Sequence, residues 1–307
     1  MEMQFIYADN AATTKMNDVA VKAMLPYLQE TYANASSVHI LGQRSAAALF
    51  SARQQLAQLL HCAPKELFFT SGGSEADNQA LLSVAAIGRQ QGKRHIISTA
   101  MEHHAILHTL EALEEQGFTV TLLRPQKDGI VTAAQVAAAL TNETCLVSVM
   151  YANNETGAIQ PIREIGALCR QRGVLFHTDA VQAAGHVDID VQRDNIDMLS
   201  LSAHKFHGPK GVGLLFAKSS IQLTSLIRGG GQERGKRAGT ENLPGIVGLA
   251  AAFKDAQEQL APNTTYITNL RDALRAGLEQ IPGASFNGSR EHCLPGTVNY
   301  SFQGVNG

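Results

Sequence analysis

A chain of 307 residues that is 44% apolar and carries a formal net charge of −2 is long enough to bury a sizeable core and reads as a large two-part α/β protein. That charge balance leaves no basic footprint for direct nucleic-acid binding, and four scattered cysteines (Cys62, Cys145, Cys169, Cys293) suit neither a disulfide framework nor a CxxC metal site, which points to a reducing, cytoplasmic setting. The N-terminus lacks the basic stretch and apolar run of an export signal, and no segment approaches the roughly 20 apolar residues of a membrane span, so no membrane partner is expected.

Along the chain, short apolar runs alternate with longer amphipathic stretches. A strand over residues 67–70 precedes a helix over 75–90; a strand over 95–98 precedes a helix over 105–116; a strand over 119–123 precedes a helix over 133–140. Further strands are expected at 145–150, 174–178, 198–202 and 213–217, with a helix at 162–172 between the first two. The alternation predicts βα units and a mostly parallel sheet. From Pro244 a long helix runs to about residue 260; Pro262 and Asn263 then mark a domain boundary before a helix at 266–280, and a last strand is expected at 297–302.

The residues that carry chemistry gather at the ends of these strands, where open α/β sheets bind ligands. Lys205, in Ser202-Ala203-His204-Lys205-Phe206-His207-Gly208, and Asp179, in Phe176-His177-Thr178-Asp179-Ala180, each follow an apolar run. Pyridoxal phosphate needs an amine to carry it and an anion beside its ring nitrogen, and these two residues answer both demands. Thr70-Ser71-Gly72-Gly73-Ser74-Glu75-Ala76-Asp77-Asn78 opens a helix directly after a strand, so Gly73 and Ser74 offer backbone N–H groups to a phosphate. The segment Gly229-Gly230-Gly231-Gln232-Glu233-Arg234-Gly235-Lys236-Arg237 imitates a P-loop, but Arg237 stands where Ser or Thr would hold magnesium. An anion-binding loop remains, with Thr240 as a hydroxyl donor.

His103 follows the strand at 95–98 and is placed to stack on a planar ring. His104 and His108 have zinc spacing without the glutamate of HExxH, so no metal site is expected. Asn153 and Asn154 end another strand and suit either a turn or a contact to cofactor and substrate, while Gln182, three residues after Asp179, reaches toward the same ring oxygen.

Taken together, these segments resemble the NifS/IscS-type cysteine desulfurases, a branch of the class V aminotransferases with the aspartate aminotransferase fold. Tyr7-Ala8-Asp9-Asn10-Ala11-Ala12-Thr13-Thr14, Asn34-Ala35-Ser36-Ser37-Val38-His39, Glu102-His103 and Gly239-Thr240 add to the likeness, which covers essentially the whole chain. It implies an α/β pyridoxal-phosphate fold: a large domain over 15–260, and a smaller α+β domain from 1–14 and 261–307, incomplete here. It implies that Lys205 holds the cofactor as a Schiff base, Asp179 pairs with the ring nitrogen, and His103 stacks on the ring. Gln182 and Asn154 would bond the ring oxygen and substrate, with Asn34 also on the substrate side. Gly73, Ser74, Ser202 and His204 would bind phosphate, and Thr240 would reach it from the partner subunit of a homodimer. The implied reaction converts L-cysteine to L-alanine and an enzyme persulfide, whose sulfur goes to iron–sulfur scaffolds, other acceptor proteins and tRNA thiolation.

The chain departs from that pattern in three places. Ala35 stands where the family usually has proline. The family's nucleophilic cysteine follows the strand at 297–302, and its carboxylate-binding arginine comes later still, so this chain is expected to be a C-terminally shortened and inactive form. Cys293 lies upstream of that strand and does not match; the other three cysteines read as packing residues. Two other readings are a related pyridoxal-phosphate-dependent C–S lyase or aminotransferase, and a non-catalytic interaction protein.

Overall fold

The computed structural model describes residues 6–305; residues 1–5, part of the segment assigned to the smaller domain, and 306–307 lie outside the described residues. Two helices come first, α1 (Asp18–Gln29) and α2 (Ile40–Leu60), followed by β1 (Leu67–Thr70) and α3 (Gly73–Gln90). Then come β2 (His95–Thr99), α4 (His104–Glu115), β3 (Thr119–Leu123), α5 (Ala133–Ala139), β4 (Thr144–Ser148) and α6 (Ile162–Arg172). The chain continues through β5 (Leu175–Asp179), β6 (Met198–Ser202), β7 (Gly213–Ala217), α7 (Leu243–Glu258), α8 (Leu260–Leu278), β8 (Ala284–Phe286) and β9 (Tyr300–Phe302).

Seven strands form one sheet in the order β1-β7-β6-β5-β4-β2-β3. Only β7 runs against its neighbours, β1 and β6; the other pairs are parallel. The strands β1, β2, β4, β6 and β7 are buried along their whole length, which is why they read as continuous apolar runs; β3, at the edge, is half exposed. Successive residues pack to opposite faces. Ile96, Leu146, Met198 and Leu215 meet Leu81, Val84, Ile106 and Leu110 of α3 and α4. Ile97, Val147, Leu199 and Phe216 meet Leu56 and Leu60 of α2, Ile165 of α6, and Leu249 and Phe253 of α7. Helices therefore cover both faces, in the expected fold.

Local chemistry sets the helix ends. Thr132 and Gln135 form a capping box at the start of α5, Asn242 accepts from Gly245 N–H at α7, and Gly173, at φ 64°, ends α6. After β2 the chain steps outward to β3 and then returns to β4 on the other side of β2, so the strand succession reverses at the β2–β4 pair. A crevice beyond the carboxyl ends is the result.

Strands 67–70, 119–123, 198–202 and 213–217 and the helix 162–172 match the sequence reading, and β4 and β5 are displaced by one or two residues. Pro262 and Asn263 correct it. They do not break the chain, because α8 begins at Leu260 and Pro262 sits in its first turn, where a missing N–H costs no helical bond. The break from α7 falls at Gln259. The strand expected at 297–302 shortens to β9, which pairs with β8 in a separate two-stranded sheet. No element was expected in residues 15–60, where α1 and α2 form.

Candidate active site

Beyond the carboxyl ends of the central strands lies a cavity of about 430 Å³ lined by Asp179, Lys205, Gly73, His103, Asn154 and Gln182, among others. Asp179 is the last residue of β5, and Ser202 the last of β6. A single turn of 3-10 helix, Ala203–Lys205, then carries Lys205 to the cavity. Lys205 Nζ donates to the carbonyls of Ala11 and Ala12 at 2.5 and 2.9 Å. Gln182 Nε2 donates to the same Ala11 carbonyl at 2.9 Å, and Thr14 is tied to the carbonyl of His204 by its N–H (2.9 Å) and its hydroxyl (2.8 Å). The N-terminal segment thus closes one wall of the cavity.

The opposite side is the N-terminus of α3. Its cap residue, Gly72, supplies no side-chain hydrogen bond, so the first-turn N–H groups are left for another partner. Gly73 is required by space: a Cβ there would stand 2.5 Å from Val181 Cγ2. Ser202 is buried, whereas Ser74 is exposed; both line the cavity with His204, whose ring nitrogen lies 3.1 Å from the Thr13 hydroxyl.

The charges of the site follow from burial. Desolvation raises the Asp179 carboxyl above its ordinary range, and the Val181 N–H (2.8 Å), His103 and Lys205 offset part of that rise. Burial lowers the Lys205 ammonium, against Asp179 and Asp9, which makes its amine easier to deprotonate. Two further carboxyls stand close by. Asp77, on α3 and also lining the cavity, is raised well above the usual range by burial and by Asp179. Glu102 is pushed up to about 8 by burial, against the hydrogen bonds it accepts from Met150 N–H and the Thr99 hydroxyl. Behind them His177 is fully buried between the hydroxyls of Ser148 (2.9 Å) and Ser200 (3.0 Å), and burial depresses it to about 3, so it is neutral.

Of the residues expected from the sequence, Gly73, Ser74, His103, Asn154, Asp179, Gln182, Ser202, His204 and Lys205 are brought to this one cavity. Asn153 is buried and shapes its own turn, accepting the N–H groups of Glu155 and Thr156. Asn34 and Thr240 do not line the cavity: Asn34 is exposed, and its Oδ1 accepts from Ser36 N–H. Thr240 is exposed at a separate hollow of about 190 Å³ with Ser71 and Arg237. The loop carrying Thr240 is held by a buried ion pair, Arg53 to Glu233, and by Arg237 to Glu75 at 2.9 Å, so its best-placed cation is already paired. Asp77, Glu102 and the Ala11 and Ala12 carbonyls were missed by sequence reasoning. Asp77 carries a signal in retrospect, four residues after Gly73 and so on the same face of α3.

None of the four cysteines lines the cavity. Burial pushes Cys62 up to about 12, Cys145 to about 11 and Cys169 to about 12. Cys293 is buried beside Arg275 Nη2 at 3.7 Å, and its thiol is still raised.

Residues 6–307 match the family model of class V aminotransferases. The chain is 48% identical over 305 residues to cysteine desulfurase IscS of Clostridium botulinum, covering 98% of this chain and 77% of that protein. It is 46% identical over 306 residues to cysteine desulfurase IscS of Methanosarcina thermophila, covering 100% and 76%. Among solved structures, a NifS-like protein superposes with a TM-score of 0.95 at 38% identity over 98% of this chain and 83% of its own. SspA in complex with cysteine superposes at 0.86 and 37% identity, covering 97% and 84%.

Proposed function

The chain belongs to the class V aminotransferase family, in its branch of NifS/IscS-type cysteine desulfurases, and from that membership we propose the roles of its cavity residues. Its function is pyridoxal-phosphate-dependent cysteine desulfuration of the kind that serves iron–sulfur cluster assembly, with L-cysteine as substrate. The residues present fit that cofactor. An amine with a lowered proton affinity, a buried carboxyl and an uncapped helix N-terminus with no Cβ at Gly73 face one cavity. That convergence is the observation that carries the assignment of roles.

Lys205 would carry the cofactor and, once released by substrate, take the α-proton of cysteine and return it on the way to alanine. Asp179 would hold the ring nitrogen protonated, so that the bound cofactor can draw electrons from the substrate's α-carbon. The first-turn N–H groups of α3, with Ser74, Ser202 and His204, would hold the phosphate. His103 would cover the ring face, while Gln182 and Asn154 would orient ring oxygen and substrate. Thr240 and Asn34, away from the cavity of their own chain, are assigned to the partner's phosphate and to the substrate approach in a homodimer. The sulfur acceptor beyond the enzyme is an iron–sulfur scaffold or another acceptor protein. The domain division is proposed at the α7–α8 junction, giving a large unit over 15–260 and a smaller one from 1–14 and 261–307.

Reduction with borohydride after loading with pyridoxal phosphate, followed by peptide mass analysis, tests the assignment. The label is expected on Lys205. A label on another lysine overturns the role of Lys205, and no visible absorbance at all favours the non-catalytic reading.

A further inference from the structure

Two turns flank the point where the strand succession reverses: the one after β2 carries His103, and the one after β4 carries Asn154. Two buried polar side chains cross between them. Glu102, 5% exposed, accepts the Thr99 hydroxyl at 2.8 Å and the Met150 N–H at 2.9 Å, both through Oε1. Asn153, equally buried, returns the link by donating Nδ2 to the Met101 carbonyl at 3.1 Å. Its Oδ1 meanwhile gathers the N–H groups of Glu155 (3.1 Å) and Thr156 (2.8 Å) and the Thr156 hydroxyl (3.0 Å). Met150, the anchor of the Glu102 bond, itself lines the cavity.

We propose that Glu102 is a positioning residue of this site: its carboxyl, together with Asn153, clamps the two turns that present His103 and Asn154 to the cavity. The inference rests on the reading of that cavity as the pyridoxal phosphate site.

The chemistry of the clamp is specific. An apolar residue at 102 would strand a buried N–H and a buried hydroxyl. Burial is the main cause that pushes the Glu102 carboxyl up to about 8, the Met150 and Thr99 hydrogen bonds oppose it and Asp179 from β5 adds to it, with Asp77 from α3 also nearby. Both bonds end on one oxygen, so a side-chain amide carbonyl reproduces them and a methyl group does not.

The test uses wild type, Glu102→Gln and Glu102→Ala, titrated with pyridoxal phosphate by absorbance, with amide hydrogen exchange in residues 100–104 and 150–156 measured without cofactor. Glu102→Gln is expected to bind within about threefold of wild type, and Glu102→Ala at least roughly tenfold more weakly, with faster exchange in both turns. Wild-type-like binding and exchange in Glu102→Ala would overturn the proposal, as would damage in Glu102→Gln equal to that in Glu102→Ala. Should Glu102→Ala fail to fold, Asn153→Ala cuts the other half of the clamp. Faster exchange at residues 101–104 in that variant supports the clamp, and unchanged exchange overturns it. Failure of the wild type to take up pyridoxal phosphate would instead remove the cofactor reading, and the exchange comparison would still decide the clamp.

Discussion

Charged and nucleophilic side chains are buried at the carboxyl ends of β5 and β6 and also in the segment of α8, β8 and β9, and the two surroundings differ. Asp179 is 5% exposed, keeps an N–H donor from Val181 at 2.8 Å and lines open space shared with Lys205. Arg275 and Cys293, 6% and 9% exposed, touch each other at 3.7 Å, and the Arg275 guanidinium lies 4.5 Å over the Phe286 ring. The first arrangement leaves a reactive group facing open space. The second consumes its reactive groups in packing, and burial raises the Cys293 thiol in spite of two neighbouring arginines. Residue type alone does not mark a site; what distinguishes one is a polar group held in place and left facing a cavity.

The sharpest way to break this comparison is at Lys205. Lys205→Ala is expected to lose the visible absorbance of the bound cofactor completely, and a borohydride-reducible adduct remaining in that variant would dissolve the contrast. Next, a protein consisting of residues 1–307 is expected to release no sulfide from L-cysteine. Its four thiols are all raised by burial, and none lines the cavity. Cysteine-dependent sulfide that disappears in Cys293→Ser would turn the second region into part of the site. Asp179→Asn should keep the cofactor yet slow exchange of the substrate α-proton with solvent, followed by NMR in deuterium oxide, by on the order of 10²–10³-fold.

Glu102 gives a smaller and pH-dependent effect. Its folded-state value of about 8 lies above the ordinary 4.5, so between those values the folded protein holds a proton that the unfolded chain has released. The stability contributed by Glu102 is fully present below 4.5, falls by roughly 1.4 kcal/mol per pH unit up to about 8 and is level above it. In thermal unfolding, Glu102→Gln should therefore gain on wild type across that window, and a constant gap would refute the buried-acid assignment. Least of all, Cys293→Ser should cost about 1 kcal/mol in denaturant unfolding and leave cofactor affinity unchanged.

How much could be read from the sequence followed the same physics. Strands such as β6 and β7 were legible because both of their faces are buried, leaving uninterrupted apolar runs between turn residues. The helices α1 and α2 were not. Val19, Leu25 and Leu28 on α1 and Ile40, Leu41 and Phe50 on α2 are exposed while other apolar residues of α2 are buried, so no single stripe marks the helix. At the site, residues acting through side chains at strand ends were legible. Ala11 and Ala12 contribute backbone carbonyls, which no residue type announces, and Glu102 is identified only by the distant Met150 N–H it accepts. The C-terminal unit was blurred by Pro262, whose usual meaning as a breaker does not hold in a first helical turn.

The wall made by Ala11 and Ala12 has a consequence for when the site comes into being. Lys205 is separated from Ala11 by 194 residues, and Thr14 from His204 by 190. A ribosome making the chain from its N-terminus must therefore have passed Lys205 before those contacts can close, and contacts of such sequence separation are slow to form even afterwards. Completion of the cavity wall is thus a late event in the life of the polypeptide. Until then Ala11, Ala12 and Thr14 lack these partners, and mutations in them should show themselves as slow maturation before they show as instability.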